Sequence, residues 1–230
     1  AACAVNPATG KRQLSLIGEA DEIQMGRQAA ANISQTVGLV EDRALQRYVA
    51  DIGLRQAASS ERPDLPWEFH VVDDPTPNAF ALPGGFIYVT RGLLGLMNSE
   101  AELAGVLGHE IGHVAGRHSV NQLSKQQLAQ LGLGLGAIFV PEARPFQQLA
   151  GAGLELLFLK YSRDHEREAD QLGFEYMRKR GYDVREFDDV FASLGRLDER
   201  QSGALPSWAM THPMPEERVE AAQKRAASIG

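Results

Sequence analysis

Positions 109–113 read His109-Glu110-Ile111-Gly112-His113. On a helix, residues four apart share a face, so both imidazoles point at one spot, while Glu110 stands one step round, beside it. Two neutral nitrogen donors with a neighbouring carboxylate are what zinc-assisted hydrolysis needs: the rings hold the metal and the carboxylate handles a water's proton. Two histidines buried with ordinary partners would give the same letters, so the spacing alone leaves both readings open. A catalytic zinc keeps three protein ligands and one open position. A histidine six residues after His113 would serve as the third ligand, but Ser119 stands there and His118 is one residue off. The other solution is a carboxylate from a later helix. The run Tyr161-Ser162-Arg163-Asp164-His165-Glu166-Arg167-Glu168-Ala169-Asp170 again sets two carboxylates, Glu166 and Asp170, four apart. One of such a pair can bind metal while the other accepts the outward N–H of a ligating histidine and fixes its tautomer. A solvated charge run would look the same.

The elements that must carry these residues follow from periodicity. Residues 99–102 form a capping box in which Ser99 caps the Glu102 amide and Glu102 reaches back, opening a helix that runs through 113. Gly108 and Gly112 lower its propensity but allow close approach of a substrate or a neighbouring helix. Two helices are expected earlier, at 19–37 and 41–58, where apolar residues recur at helical spacing. Trp67, Phe69 and Val71 alternate with polar residues and predict a strand. Two further apolar runs, 78–82 and 86–89, flank Pro83-Gly84-Gly85 and predict a hairpin. The result is an α+β fold, mostly α, with a small sheet of about three strands.

The 230 residues fit one domain, taken as 15–230 behind an extended lead-in at 1–14, and 43% hydrophobic residues suffice for its core. A metal here therefore serves chemistry more than folding. A net charge of −7 argues against nucleic acid, because phosphate binding wants a basic face. The apolar stretches at 131–140 and 154–159 are well short of the ~20 residues a spanning helix requires, and read as core or groove lining. The lone cysteine, Cys3, excludes an internal disulfide. It sits in Ala1-Ala2-Cys3-Ala4, which resembles the end of a bacterial lipoprotein signal, where the cysteine becomes lipidated.

The chain resembles the zinc metallopeptidase family that includes the heat-shock protease HtpX and the CAAX prenyl endopeptidase, and most of all its short periplasmic BepA- and LoiP-like members. Four segments carry the likeness in order: Asn78-Ala79-Phe80 with Pro83-Gly84-Gly85; Ala101-Glu102-Leu103 through His109–His113 to Arg117-His118-Ser119; Ser162-Arg163 with Glu166, Ala169 and Asp170; and Thr211-His212-Pro213 followed by Arg218. It departs from HtpX and the prenyl protease in lacking spanning segments, and from BepA in lacking a helical-repeat tail.

The resemblance implies a zincin-like fold with one zinc per chain on His109, His113 and Glu166. It makes Glu110 the base, Asp170 the companion of the third ligand, and Asn78-Ala79 the strand beside which substrate lies. It brings His212 and Arg218 near the site as candidate donors to the oxyanion. Alternatively, His212, in a loop expected around 207–213, occupies the metal as a latch. His70, His118 and His165 are left as structural. The implied activity is endopeptidase cleavage of misfolded or membrane-associated envelope proteins in the bacterial periplasm. Protein or peptide substrates are then the partners, and membrane contact comes only through a lipid on Cys3. A zinc-bound chaperone with little hydrolysis, or a structural zinc domain with a fourth ligand, are the rivals. Oligomeric state does not follow from the sequence.

Overall fold

The computed structural model describes residues 3–130 and 159–187, together with residues 189, 212, 218, 220, 221 and 224. The expectations for 131–140, for most of 154–159 and for the loop around His212 lie outside them.

Two short strands, β1 (Cys3–Val5) and β2 (Arg12–Leu14), pair antiparallel with Cys3 opposite Leu14. The lead-in is thus a hairpin. Asn6 shapes its turn, with Oδ1 accepting from the amides of Ala8 (2.8 Å) and Thr9 (3.2 Å), the local bonding that suits Asn to turns. Helix α1 (Glu19–Thr36) and helix α2 (Arg43–Ala57) follow within two residues of their expected bounds. Gly38 ends the first at φ +84°, a left-handed conformation in which a Cβ is strained. Asp42 caps the second by accepting from Ala44 N at 2.8 Å and Leu45 N at 3.1 Å.

Strands β3 (Glu68–Val72), β4 (Ala79–Leu82) and β5 (Phe86–Thr90) form one sheet in the order β3-β5-β4. The expected hairpin is β4–β5, with Leu82 opposite Phe86 and Gly84 and Gly85 at φ +81° and +106° in the turn. β3 pairs parallel to β5, which leaves β4 at the edge. Both sheet faces are covered. Ala29 and Ile33 of α1 pack with Phe80, Leu82, Phe86 and Tyr88 on one side. On the other, Phe69, Val71, Ile87 and Val89 meet Val49 and Ile52 of α2 and the Leu103, Val106 and Leu107 stripe of the next long helix. That double burial explains why β4 and β5 read as apolar runs without alternation.

A one-turn helix α3 (Arg91–Leu94), capped by Thr90, precedes α4 (Glu100–Ala115). Ser99 Oγ accepts from Glu102 N at 3.1 Å as expected, but the Glu102 carboxylate reaches back to the amide of Asn98 (2.6 Å) instead of that of Ser99. Helix α5 (His118–Gln130) leaves α4 after only two residues, and α6 (Arg163–Lys179) is capped by Ser162. No helix among the described residues is long and apolar enough to cross a membrane.

Candidate active site

Helix α4 is buried continuously from Glu102 to Ala115, which is unusual for a stretch carrying two histidines and two glutamates. Its seam with α6 is built from small residues. A Cβ on Gly112 would lie 2.9 Å from Ala169 O, and one on Gly108 would lie 3.1 Å from Gly173 Cα. The two glycines thus serve the approach of a neighbouring helix. Helix α6 comes near enough to lay Glu166 and Asp170 against the His109–His113 face, with Ala169 and Gly173 filling the gaps between them.

His109, Glu110, His113 and Glu166 are 0% exposed, and His212 is 1% exposed. The Nε2 atoms of His109 and His113 face each other at 3.0 Å. Glu166 Oε1 lies 3.4 Å from His113 Nε2, and Glu166 Oε2 lies 3.5 Å from His109 Nε2. His212 brings its Nδ1 to 3.2 Å from His109 Nε2 and 3.1 Å from Glu166 Oε1. These four residues each offer a donor atom, all within 4.8 Å of one another.

A second tier surrounds them. Asp170 Oδ1 lies 2.9 Å from His109 Nδ1, the outward nitrogen of that ring. Arg218 donates through Nε to Asp170 Oδ2 (2.8 Å) and through Nη2 to Asp170 Oδ1 (2.7 Å), while Nη1 lies 2.7 Å from Glu166 Oε2. The guanidinium thus forks onto both carboxylates of α6, a geometry that suits arginine. Tyr161 stacks on the His113 ring with centroids 4.0 Å apart, and its hydroxyl shares a 2.8 Å hydrogen bond with Ser119 Oγ.

The donor chemistry fits a divalent cation. Burial pushes His113 well below the usual imidazole range, giving a neutral ring with a lone pair to offer. Burial opposes charge on Glu166, yet His212 and His113 outweigh it and hold the carboxyl well below its ordinary range. Burial would lower His212 as well, but Glu166 and Glu110 raise it, so the pocket calls for positive charge. Neither oxygen of Glu110 has a hydrogen-bond partner among the described residues; the His212 Nε2 atom is 3.5 Å away. A buried carboxylate is costly without a partner, and a cation with its ligands supplies one. Nitrogen and oxygen donors in this number are those of zinc sites.

Residues 43–226 match the model of peptidase family M48. The chain belongs to peptidase family M48. It is 29% identical over 230 residues to the beta-barrel assembly-enhancing protease of Escherichia coli (strain K12), covering 96% of this chain and 47% of that protein. It is 31% identical over 220 residues to the mitochondrial metalloendopeptidase OMA1 of Schizosaccharomyces pombe (93% of this chain, 63% of that protein). With OMA1 of Arabidopsis thaliana the identity is 35% over 183 residues (78% of this chain, 36% of that protein). The chain spans about half the length of the curated relatives it matches.

Within this M48 chain, the structure brings together His109, Glu110, His113, Glu166, Asp170, His212 and Arg218. Asn78 precedes and Ala79 opens edge strand β4, which packs on α4. There Asn78 N donates to Thr90 Oγ1 and Asn78 O accepts from Thr90 N, both at 2.9 Å. Cys3 opens β1. His70 faces Glu68 on the sheet, 3.1 Å away. His118, taken from sequence as merely structural, touches the site: its Nδ1 is 3.0 Å from His113 Nδ1. Glu168 and Tyr161 carried no role in the sequence reading, and no helical spacing to Glu166 singled them out: Glu168 is two residues on and Tyr161 precedes the helix.

Proposed function

We propose that the chain is a zinc-dependent endopeptidase with one zinc on His109, His113 and Glu166. The observation that carries this reading is the convergence of three buried donors from two helices beside Glu110, a buried carboxylate with no hydrogen bond among the described residues. Zinc, when bound, supplies Lewis acidity toward a peptide carbonyl and toward water. Glu110 takes the proton of the attacking water and returns it to the leaving amine, since it stands beside the ligand cluster without belonging to it. Asp170 accepts the outward N–H of His109 and so keeps that ring's other lone pair turned inward. We give Arg218 the task of holding Asp170 and Glu166 in place; its fork on both carboxylates favours that over a direct bond to the oxyanion.

For His212 the latch is favoured. Its ring stands between Glu110 and the ligand atoms, with one nitrogen toward each, so in this position it takes the place that water would need. The edge strand β4, which Ala79 opens just after Asn78, is where an extended peptide would add. The similarity to a beta-barrel assembly-enhancing protease supports protein substrates of the bacterial envelope, misfolded or membrane-associated, and a periplasmic location. Membrane attachment through a lipid on Cys3 belongs to the same proposal, and mass spectrometry of the native mature N-terminus tests it.

The deciding experiment is Glu110→Gln. The variant keeps stoichiometric zinc and the wild-type fold but loses cleavage of an unfolded protein substrate. Undiminished cleavage overturns the mechanism. A wild-type protein that binds zinc and shields unfolded substrates without cleaving them returns the chain to the chaperone alternative.

A further inference from the structure

His113 has a second nitrogen to satisfy, and the chain has built a route for it. Helix α4 ends at Ala115, Gly116 caps it, and Arg117 turns the backbone at φ +56° before α5 begins at His118. A non-glycine residue in that left-handed region is uncommon. Here the Arg117 side chain is tied down, donating through Nε to Glu22 Oε2 and through Nη2 to Ile17 O, both at 2.9 Å. This tight elbow folds His118 back over the preceding turn. The His118 ring is 0% exposed, stacks on His165 with centroids 4.4 Å apart, and sets Nδ1 3.0 Å from His113 Nδ1. Its Nε2 lies 3.2 Å from Glu168 Oε1. That same oxygen accepts from Asn6 Nδ2 at 2.7 Å. Asn6 belongs to the N-terminal hairpin, which is moored nearby by Gln13 Nε2 donating to Gly116 O at 3.1 Å.

The direction of these bonds is determinate once His113 offers Nε2 as a lone pair. Its Nδ1 must then carry the hydrogen and donate to His118 Nδ1. His118 therefore carries its own hydrogen on Nε2, where Glu168, an acceptor only, receives it. Each link sets the tautomer of the one before it.

Gly116 gives an independent sign that the space is reserved for this chain of bonds. A Cβ there would fall 2.4 Å from His118 Nε2 and 2.8 Å from Glu168 Oε1, on the hydrogen bond between them. The Gly116 backbone is right-handed (φ −74°, ψ −8°), so the requirement for glycine comes from this contact and not from the backbone angle.

We infer that His118 and Glu168 are positioning residues for the metal centre, completing a relay Asn6–Glu168–His118–His113 by which the N-terminal hairpin fixes the His113 ring for coordination. The inference rests on the zinc reading above. It goes beyond that reading by placing an outer support of the metal on a hairpin that precedes the residues matched to the family.

The test is competition for zinc against a chromophoric chelator, together with ring-nitrogen NMR of the zinc-loaded wild type. His118→Leu binds zinc about 10–100-fold more weakly, as losses of partners behind a ligand commonly do. His118→Asn, whose side-chain oxygen can accept at the Nδ1 position, recovers most of that loss. Gly116→Ala weakens binding in the same direction, and Asn6→Ala does so by less. In the wild-type spectrum His118 carries its hydrogen on Nε2. Folded His118→Leu with wild-type zinc affinity overturns the relay, and so does a His118 ring protonated on Nδ1 alone, whatever the variants do. Wild-type protein that takes up no zinc overturns the metal reading itself, and the relay with it. Because these measurements read affinity and tautomer, they stand apart from any loss of peptidase activity.

Discussion

Gly173 lies against the backbone of His109 with no room for a methyl group: a Cβ on it would stand 2.8 Å from the His109 amide nitrogen. The contact is reciprocal with Gly108, and it sets how near α6 comes to the His109–His113 face of α4. Gly173→Ala would push the helices apart by a few tenths of an ångström or more. The expected outcome is a loss of about 1–3 kcal/mol in the zinc-free protein, the usual cost of overpacking, with weaker zinc binding besides. Urea unfolding and a zinc titration check it; a variant unchanged in both would mean that the seam does not position the ligands.

Asp170→Asn is expected to lower metal affinity or activity about 10–100-fold. The reason is geometric frustration. An amide that turns its oxygen to His109 Nδ1 must turn its NH2 group toward Arg218, and one that satisfies Arg218 must confront the His109 N–H. Burial opposes charge on Asp170, but His109 and Arg218 outweigh it and hold the carboxyl below its ordinary range. Equal zinc retention by variant and wild type under chelator challenge would return Asp170 to a purely structural role.

His212→Ala distinguishes a latch from a donor. Its ring sits 3.5 Å from Glu110 Oε1 and 3.1 Å from Glu166 Oε1, in the way of a water. Removing it should raise basal peptidase turnover while zinc is retained. A fall of about 10²–10³ in turnover, as loss of an oxyanion donor gives, would show instead that the histidine works on the transition state.

Glu22 is expected to be a stability determinant that acts on the metal centre only indirectly, through the Arg117 elbow. It is 1% exposed and holds Arg62 through two hydrogen bonds (2.7 and 3.1 Å) and Arg117 at 2.9 Å. Arg62 in turn donates to Val114 O (3.0 Å) in the last turn of α4. Glu22→Ala leaves Arg117 without its carboxylate and the buried Arg62 with only the exposed Glu19, 3.0 Å away, and should cost about 3 kcal/mol in denaturant unfolding, the low end for breaking a buried pair. A loss below about 1 kcal/mol would mean that water replaces the carboxylate freely.

The elements that carry the site were legible because their signals are local. The capping residue Ser99, the Gly84-Gly85 turn and the helical spacing of His109 with His113 each state their conformation within a few residues. The α+β class and the three-stranded sheet followed from the same signals. What stayed hidden depends on distant partners. Gly112 permitted either a substrate or a helix, and only the packing of Ala169 decides for the helix. Arg218 could have been a surface residue or a donor to substrate, until Asp170 and Glu166 met its fork. His118 looked like a bystander because its role runs through Arg117, whose left-handed turn no pattern at that position announces. The lead-in at 1–14 read as extended, since three-residue strands leave too short an alternation to register, and its pairing is visible only through Asn6.

With zinc on His109, His113 and Glu166 as proposed, the division of these ligands between α4 and α6 would tie metal supply to the lifetime of the fold. Neither helix holds a complete donor set, so zinc binds the docked pair far better than the separated helices. Free zinc at 100 times its dissociation constant would add about 2.7 kcal/mol to the docked state. In a metal-starved compartment the same chain would spend more time with α6 loosened, and its own turnover by other proteases would rise. On the zinc reading, metal would ration the chain twice, once in its proposed chemistry and once in how long the fold survives.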